Sequence, residues 1–295
     1  TKITHLYHYN INEITPYINW AYFLHAWSMP SGYTPLAYLH RCQACQNAWI
    51  KSQPPESRQK AMEAVKLFND AWQTLDYFIE CGYRSHAIVR LMEANADGED
   101  ILLYTGQRIP LLRQQHDGSA EPCLCLSDYV MPVDRGKKDR IGLFLSSTDA
   151  DAEKSFGSDA YRHMLAQTLA DRLAEACIEK THQHVRTTLW GYAPHERLTP
   201  HELFAGRYQG IRPAVGYPSL PDQSLNFILD SLLDFSRLNV SLTENGAMNP
   251  HASVSGLMLA HPQARYFSVG QIGKDQLLDY ARRRGVQAEE LEKFL

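Results

Sequence analysis

The sequence contains no apolar run that approaches the roughly 20 residues of a membrane-spanning helix. Its first residues, Thr1–His5, also lack the apolar centre of an export signal. Both absences argue against a membrane protein and against a secreted one. We therefore expect a cytoplasmic chain that has no membrane partner.

An excess of basic residues is also missing. The chain has 29 lysines and arginines against 33 aspartates and glutamates, which gives a formal net charge of −4 at pH 7. No stretch shows the basic stripe with which nucleic-acid binders contact phosphates. We therefore expect no nucleic-acid partner.

Motifs of the common catalytic and nucleotide-binding sites are absent as well. The sequence has no dinucleotide glycine fingerprint, no P-loop, no His-Glu-x-x-His and no serine nucleophile elbow. Its 13 histidines are scattered along the chain. Nothing therefore designates a nucleophile or a general base, and we predict no catalytic side chain.

Cysteine occurs six times, and two pairs have a recognisable spacing. Cys42 and Cys45 have the two-residue separation of half a zinc site, with His40 nearby. Cys123 and Cys125 alternate as residues on one face of a strand do. A metal shared between the two pairs is one alternative, and a small zinc protein is the corresponding function. The commoner explanation is free, mostly buried cysteine in a reducing compartment, and we assign no metal.

The composition is that of an ordinary globular protein, with 44% hydrophobic and 21% charged residues. Apolar residues recur every three or four positions in 57–80, and leucines recur every four positions in 160–183, as on one face of a helix. Shorter helices are predicted at 226–237 and 274–284. In the helix 160–183, Arg172 lies three residues before Glu175, and a solvated ion pair is the simplest expectation for the two.

The middle of the chain changes to β-prone runs separated by turns rich in Asp and Gly. Strands in the middle, with helices before and after them, indicate an α+β fold with an antiparallel sheet. We expect one domain, 1–295, in which residues 1–84 are mainly helical and residues 85–295 hold the sheet, more helices and a ligand groove. The predicted strands are 86–92, 101–105 and 141–146, with 265–269 alternating like a strand, 252–256 either a strand or a tight loop, and 107–121 a polar loop.

One stretch, Arg212–Pro218, combines a stiff backbone with a cationic side chain. Two prolines fix φ on either side of Gly216, which lets another group approach the backbone closely. We expect the segment to be extended, with free main-chain N–H and C=O groups. Arg212 can hold a carboxylate through two parallel hydrogen bonds. The stretch suits a zwitterionic metabolite with a flat ring; the alternative is a structural loop whose arginine pairs with a surface acid.

Eight short motifs follow one another from Tyr17 to the last predicted helix. They are Tyr17–Trp20, Glu93–Ile101, Leu124–Tyr129, Ala170–Ala176, Trp190–Pro194, Gly210–Pro218, Val254–Gly256 and Asp275–Arg283. Any one alone is a weak signal, but all eight in this order are highly specific. The chain resembles the activation domain of cobalamin-dependent methionine synthase over nearly its whole length.

The resemblance implies a C-shaped α+β domain with a twisted antiparallel sheet and a groove for S-adenosylmethionine. In the family this module presents the methyl donor to a cobalamin that a partner module holds, while flavodoxin supplies an electron. That activity needs no general base from the module itself. Carried over by position, Arg212 holds the ligand's carboxylate, Glu175 is the family's helix glutamate, Ala214, Gly216 and Tyr217 line the groove, and Tyr266 and Phe267 flank the adenosine.

The sequence departs from the family's pattern at three places. Asn19, the remaining candidate binding residue, stands where the family has an aspartate; an amide still accepts a hydrogen bond from the ligand's ammonium but brings no charge. Ser219–Gln223 replaces Ala-Cys-Pro-Glu/Asp-His, and Leu257–Leu259 replaces Trp-Tyr-Phe. We expect the last two changes beside the groove or on the face turned to the corrin. They leave open a divergent regulatory protein of the same fold that has lost S-adenosylmethionine binding.

Cobalamin itself has no recognisable site in this sequence. The chain lacks an Asp-x-His-x-x-Gly cobalamin motif, and its 295 residues leave no room for homocysteine and folate barrels. We therefore expect a freestanding protein that docks in trans on a cobalamin-binding module of methionine synthase, with a flavodoxin-like electron donor. A fragment of a longer synthase is the alternative.

Overall fold

The structure is a computed structural model that describes residues 4–115 and 121–295. Its strands are β1 (Thr4–Asn10), β2 (Arg84–Asp97), β3 (Asp100–Leu103), β4 (Arg108–Pro110), β5 (Asp139–Thr148), β6 (Ser241–Leu242), β7 (Met248–Asn249) and β8 (Ser253–Met258). Its α-helices are α1 (Ile11–Ile14), α2 (Trp20–Ala26), α3 (Gln43–Ser52), α4 (Arg58–Glu80), α5 (Ala150–Glu153), α6 (Ala160–His184), α7 (Pro200–Phe204), α8 (Leu225–Leu233), α9 (Lys274–Arg284) and α10 (Ala288–Leu291).

An antiparallel sheet of six strands organises the described residues. β1 pairs with the first half of one edge of β2, and β3 pairs with the end of that edge. β5 pairs along the other edge of β2, β4 extends the sheet beyond β3, and β8 extends it beyond β5. The long strand β2 is therefore the common partner through which the N-terminal region of the chain joins the sheet.

Both faces of β2 are covered by helices. Successive residues point to opposite faces of a strand. Val89 packs in a cluster with Ile178 of α6, whereas its neighbour Ile88 packs in another cluster with Leu229 of α8. Burial on both faces explains why the central strands appear in the sequence as short continuous apolar runs.

The long predicted helices are confirmed, and their buried faces follow the expected period. α4 and α6 lie within one residue of the predicted bounds, and α9 has the predicted bounds. On α6, Leu165, Leu169 and Leu173 are fully buried. The apolar repeat of α4 is Met62, Val65, Phe68, Trp72, Leu75 and Ile79. It is buried only in part, because Met62 and Ile79 at its two ends are exposed.

Three pieces of local structure differ from the sequence-based expectation. β1 was not predicted, and β4 lies inside the stretch 107–121 that was predicted to be a loop; residues 116–120 of that stretch lie outside the described residues. Residues 265–269 form no strand. Instead, the Ser219 hydroxyl accepts a hydrogen bond from the N–H of Phe267 at 3.1 Å and donates one to its carbonyl. The Ser219 hydroxyl therefore satisfies the backbone groups of Phe267 that a neighbouring strand would otherwise bond.

The segment 211–215 continues the sheet beyond β8. Its first residue exchanges two backbone hydrogen bonds of 2.9 Å with Leu259, and its last donates to Ser255 at 2.9 Å. Gly256 permits this approach, since a Cβ there would lie 2.2 Å from the carbonyl oxygen of Pro213. The segment, with residues 216 and 217, is called the ribbon below.

The predicted C-shaped α+β fold with a twisted antiparallel sheet is confirmed as a curled antiparallel sheet flanked by helices. Among the described helices, none combines the length and the apolarity that crossing a bilayer requires. The assignment of 1–295 to a single domain stays a prediction.

Candidate functional site

The guanidinium of Arg212 is buried where the ribbon meets α6. Its Nη2 donates to Oε2 of Glu179, and only 15% of the arginine side chain and 7% of the glutamate side chain are exposed. The partner is therefore a buried acid of α6, and not the surface acid of the structural-loop alternative. Arg212 Nε and Glu179 Oε1 are also buried, and neither has a hydrogen-bond partner among the described residues. One edge of the guanidinium thus keeps an unpaired nitrogen, Nε.

The surroundings of Arg212 favour its charged form. Burial alone acts to lower the pKa of Arg212, but attraction to Glu179, to nearby tyrosines and to Glu175 outweighs it, so the pKa is raised. His182 lies on α6, the helix that carries Glu179, and is fully buried. Burial, followed by repulsion from Arg186 and Arg212, lowers the pKa of His182 well below its usual value, so the ring is neutral near pH 7. Arg212 therefore has no protonated histidine as a competing cation beside it.

Glu175 lies one helical turn before Glu179 and faces the ribbon. Its Oε1 accepts a hydrogen bond of 3.1 Å from the hydroxyl of Tyr217. The charge of Glu175, followed by burial, raises the pKa of Tyr217 to about 12. Within the described residues Glu175 forms no ion pair with Arg172, whose guanidinium lies 5.9 Å from the ring of Tyr22. The predicted solvated pair is therefore wrong, and Glu175 is directed toward the ribbon.

Two half-exposed tyrosines border this cluster. The hydroxyl of Tyr266 accepts a hydrogen bond of 3.0 Å from the backbone N–H of Arg212. Tyr266 is 50% exposed and Tyr217 is 51% exposed, so both rings are open to solvent. The structure thus brings Arg212, Tyr266, Tyr217 and Glu175 together, with aromatic faces that a planar or cationic group can contact.

The main chain of the ribbon is less free than the sequence predicts. Residues 211, 213 and 215 bond to β8 and to Leu259 just after it, and the N–H of Gly216 donates to the carbonyl of Leu220 at 2.9 Å. Gly216 has a φ of +86°, a left-handed conformation that favours glycine, and Gln223 lies against it. The N–H of Ala214 and the C=O of Arg212 have no hydrogen-bond partner in the described portion of the chain. They are the ribbon groups that the alternation of a strand directs away from β8.

Asn19 and Phe267 also have structural tasks. The side chain of Asn19 accepts a hydrogen bond of 3.2 Å from the N–H of Ala21 and caps α2. α2 and the short turn before it, Thr15–Tyr17, both pack on α6, the helix that carries Glu175. The ring of Phe267 packs on two core clusters. Neither side chain hydrogen-bonds to Arg212 or Glu175 in the described structure.

A second buried ion pair, Arg186–Glu196, lies at the C-terminal end of α6. Arg186, in the π-helical turn Val185–Leu189 that follows α6, donates twice to Glu196, at 2.8 and 2.7 Å. Its side chain is fully buried, and its guanidinium lies 4.1 Å from the ring centre of Tyr208. Because Tyr208 and Glu196 belong to the segment that leads into the ribbon, this pair holds that segment against the end of α6.

The changed residues 257–259 have buried side chains but lie beside the ribbon. Leu257–Leu259 are at most 1% exposed, and Met258 lies against Gly142 of β5. Backbone hydrogen bonds join Leu257 to Pro213 and Leu259 to Ile211, so they adjoin the ribbon as one of the two expectations has it, and their burial contradicts only the alternative of an exposed face turned to the corrin. In the other changed stretch, 219–223, Gln223 does lie beside the ribbon, against Gly216.

Sequence reasoning missed Glu179. Two acids four residues apart share one face of a helix. Glu175 and Glu179 have that spacing on α6. This spacing was the signal that could have found Glu179, and the structure assigns to it the task of holding Arg212.

Replacing Glu179 with alanine should lower the free energy of unfolding by about 3–5 kcal/mol, because the buried guanidinium of Arg212 loses its counter-charge. Glu179→Gln, which retains an acceptor, should cost less. Urea denaturation followed by circular dichroism measures both. Glu93→Ala, which breaks the exposed pair with Lys138, is the control and should leave the midpoint unchanged. Equal midpoints for Glu179→Ala and Glu93→Ala would contradict the assignment.

Comparison with known proteins places this geometry in a family. The family described as "Vitamin B12 dependent methionine synthase, activation domain" matches residues 10–285. Among solved structures, the crystal structure of the MetH reactivation domain bound to AdoHcy is similar, with a TM-score of 0.87 and 35% sequence identity. The similarity covers 100% of this chain and 89% of that one. The chain therefore belongs to the family of vitamin B12 dependent methionine synthase activation domains.

Proposed function

We propose that the chain binds S-adenosylmethionine between the ribbon and α6 and presents its methyl group for the reactivation of cobalamin-dependent methionine synthase. The observation that carries this proposal is the convergence of Arg212, Glu175, Tyr217 and Tyr266. Membership of the activation-domain family supports it. The similar reactivation domain with bound AdoHcy supports the class of ligand.

Each polar group of the ligand has a counterpart in the groove. The unpaired Nε of Arg212 can donate to one oxygen of the ligand's carboxylate while Nη2 remains with Glu179. Glu175 can receive the ammonium, in exchange for the hydroxyl of Tyr217. Tyr266 offers a ring face to the adenosine, and Phe267 supports that wall from the core. The free Ala214 N–H and Arg212 C=O can bind the edge of the adenine, beside Gly216 and Tyr217.

The charge of the groove favours the methyl donor over its product. Arg212 contributes one positive formal charge, and Glu175 and Glu179 contribute two negative ones, which leaves a net negative groove. S-adenosylmethionine carries a sulfonium, an ammonium and a carboxylate and is net positive. The demethylated product lacks the sulfonium charge. Coulombic attraction inside a partly desolvated groove is therefore stronger for the donor than for the neutral product.

The residues of this chain bind and orient the ligand and move no proton. Cobalamin, held by a partner module and not by this chain, supplies the methyl-accepting metal centre once a flavodoxin-like donor has delivered an electron. The groove must therefore leave the sulfonium methyl open toward that partner. The half-exposed rings of Tyr217 and Tyr266 mark the open side of the groove.

Replacing Arg212 with lysine should weaken S-adenosylmethionine binding by about 10- to 100-fold, the effect of losing one charge-assisted hydrogen bond. The lysine keeps the charge but not the two-pronged geometry. Isothermal titration calorimetry on the folded variant measures the change. Arg135→Ala, at an exposed arginine, is the control and should bind as the unaltered chain does. The proposal fails if the unaltered chain gives no heat, or if Arg212→Lys binds equally well.

Asn19→Asp should tighten S-adenosylmethionine binding by roughly fivefold, since a charged hydrogen bond to the ammonium exceeds a neutral one by about 1 kcal/mol. Aspartate caps helices as well as asparagine does, so α2 should keep its stability. Parallel titrations of the two proteins, with melting temperatures as the folding control, measure the effect. Unchanged or weaker binding would show that Asn19 lies outside the ligand's reach.

We further propose that the chain docks in trans on the cobalamin-binding module of methionine synthase. Membership of the activation-domain family of vitamin B12 dependent methionine synthase supports contact with such a module. Pull-down with the cobalamin-loaded module should recover the chain, and recovery should rise when S-adenosylmethionine is added. Arg212→Lys should lose the second effect only. No association with the loaded module would contradict docking in trans. Docking without any heat of S-adenosylmethionine binding would instead favour the divergent regulatory protein.

A further inference from the structure

Three metal-ligating side chains converge at the start of α3, an element that carries none of the groove residues. His40, Cys42 and Cys45 each offer a donor atom, and these atoms all lie within 4.8 Å of one another. His40 is exposed and the two cysteines are half-buried, so the cluster is accessible from solvent. Among the described residues, no other group of three such side chains converges, and Cys123 and Cys125 do not belong to this one.

The local backbone explains the convergence. Cys42 is the N-cap residue of α3, and its Sγ accepts a hydrogen bond of 3.4 Å from the N–H of Cys45. The first turn of the helix thereby brings the second thiol to the side of the first. The Nδ1 of His40 accepts a hydrogen bond of 3.3 Å from the N–H of Cys42, which holds the imidazole ring beside this turn.

Burial in the core does not account for these cysteines. Of the six cysteines, all within the described residues, two are buried, Cys125 and Cys177, so the expectation of mostly buried cysteine holds for these two and is wrong for the other four. Cys42 and Cys45 belong to none of the buried core clusters. Their placement together on the surface therefore needs another explanation.

The donor spacing suits zinc. Tetrahedral zinc with bonds of about 2.3 Å to sulfur and about 2.0 Å to nitrogen requires donor atoms that lie roughly 3.5–3.8 Å apart. The observed limit of 4.8 Å is within about 1 Å of that spacing, a difference that side-chain rotation can close. Two thiolates and a neutral imidazole are the ligand types that select zinc over harder cations.

We propose that His40, Cys42 and Cys45 form a zinc site with water in the fourth position. The two thiolates neutralise the ion. The neighbouring cation, Arg41, is held away from them, because it pairs with Asp76 at 3.1 Å and lies 4.0 Å from the ring centre of Trp72.

Bound zinc would cross-link His40, in the loop after the 3-10 segment Ser31–Tyr38, to the first turn of α3. α3 itself is joined to α4 through a hydrogen bond of 2.7 Å between Gln46 and Asn69. A metal that fixes residues 40–45 therefore fixes α3 on α4 and should protect this surface segment from cleavage. The site is independent of the ligand groove and would stabilise the N-terminal helices whether or not S-adenosylmethionine binds.

The test is metal analysis of the folded chain, purified with reductant and without chelator. We expect about one zinc per chain by elemental analysis. Cobalt substitution should give the sulfur-to-metal charge-transfer absorption of a two-thiolate site. Cys42→Ser and Cys45→Ser should each lose the zinc and this absorption, and His40→Ala should bind zinc more weakly. Limited proteolysis between residues 38 and 46 should become faster when a chelator removes the metal.

The matched control is Cys81→Ser, which removes an exposed thiol outside the cluster and should keep the full zinc content. Melting temperature and near-ultraviolet circular dichroism verify that each variant is folded. Zinc content that stays below stoichiometric after incubation with zinc and reductant would overturn the proposal. Zinc binding that survives both cysteine substitutions would overturn it as well. A zinc-free chain in which Cys42 and Cys45 form a disulfide on mild oxidation would instead identify the pair as redox-active.

Discussion

A buried cation requires a fixed counter-charge, and the pair Arg212–Glu179 meets that requirement where the ribbon contacts α6. Removing both charges from water costs several kcal/mol for each ion, and only close contact offsets this cost. Arg212 can therefore stay buried only while the ribbon and α6 keep their present separation. The pair thus joins the edge of the sheet to the longest of the described helices. The unpaired Nε of the guanidinium is positioned as a consequence.

The sheet holds the other side of this arrangement. The ribbon is bonded to β8 along 211–215, and Gly256 allows the two backbones to meet because it has no Cβ. The residues Leu257–Leu259, which differ from the family's aromatic motif, are buried behind this contact. Their side chains pack in the core, whereas the Ala214 N–H and the Arg212 C=O are directed away from β8.

Elements with a long, regular apolar repeat in the sequence were predicted correctly, and elements without one were not. α4, α6 and α9 have long apolar periods, and sequence alone located them to within a residue. β1 has no such signal, because only its pairing with β2 makes Thr4–Asn10 a strand. Residues 265–269 alternate like a strand but are bonded by the hydroxyl of Ser219, a tertiary contact that no local pattern reveals.

The same limit applies to the groove. Arg212 was recognisable from its proline-braced segment, and Glu175 and Tyr266 from the order of motifs. Glu179 was overlooked, because an acid on a helix has a solvated position as its default expectation. Only the rotation of α6 against the sheet decides that this acid is buried opposite the ribbon. Pairing between distant segments is what the sequence alone did not supply.

Glu175 is already hydrogen-bonded before a ligand arrives, whereas Arg212 Nε and the N–H of Ala214 have no partner among the described residues, and this difference determines what each group can add to binding. Glu175 already accepts a hydrogen bond from Tyr217, so a ligand's ammonium replaces one donor with another there. Exchange of one hydrogen bond for another contributes little net free energy. What the ammonium and the sulfonium add is charge, and the groove has one negative charge in excess. Affinity should therefore depend on the ligand's net charge as well as on the hydrogen bonds that Arg212 provides.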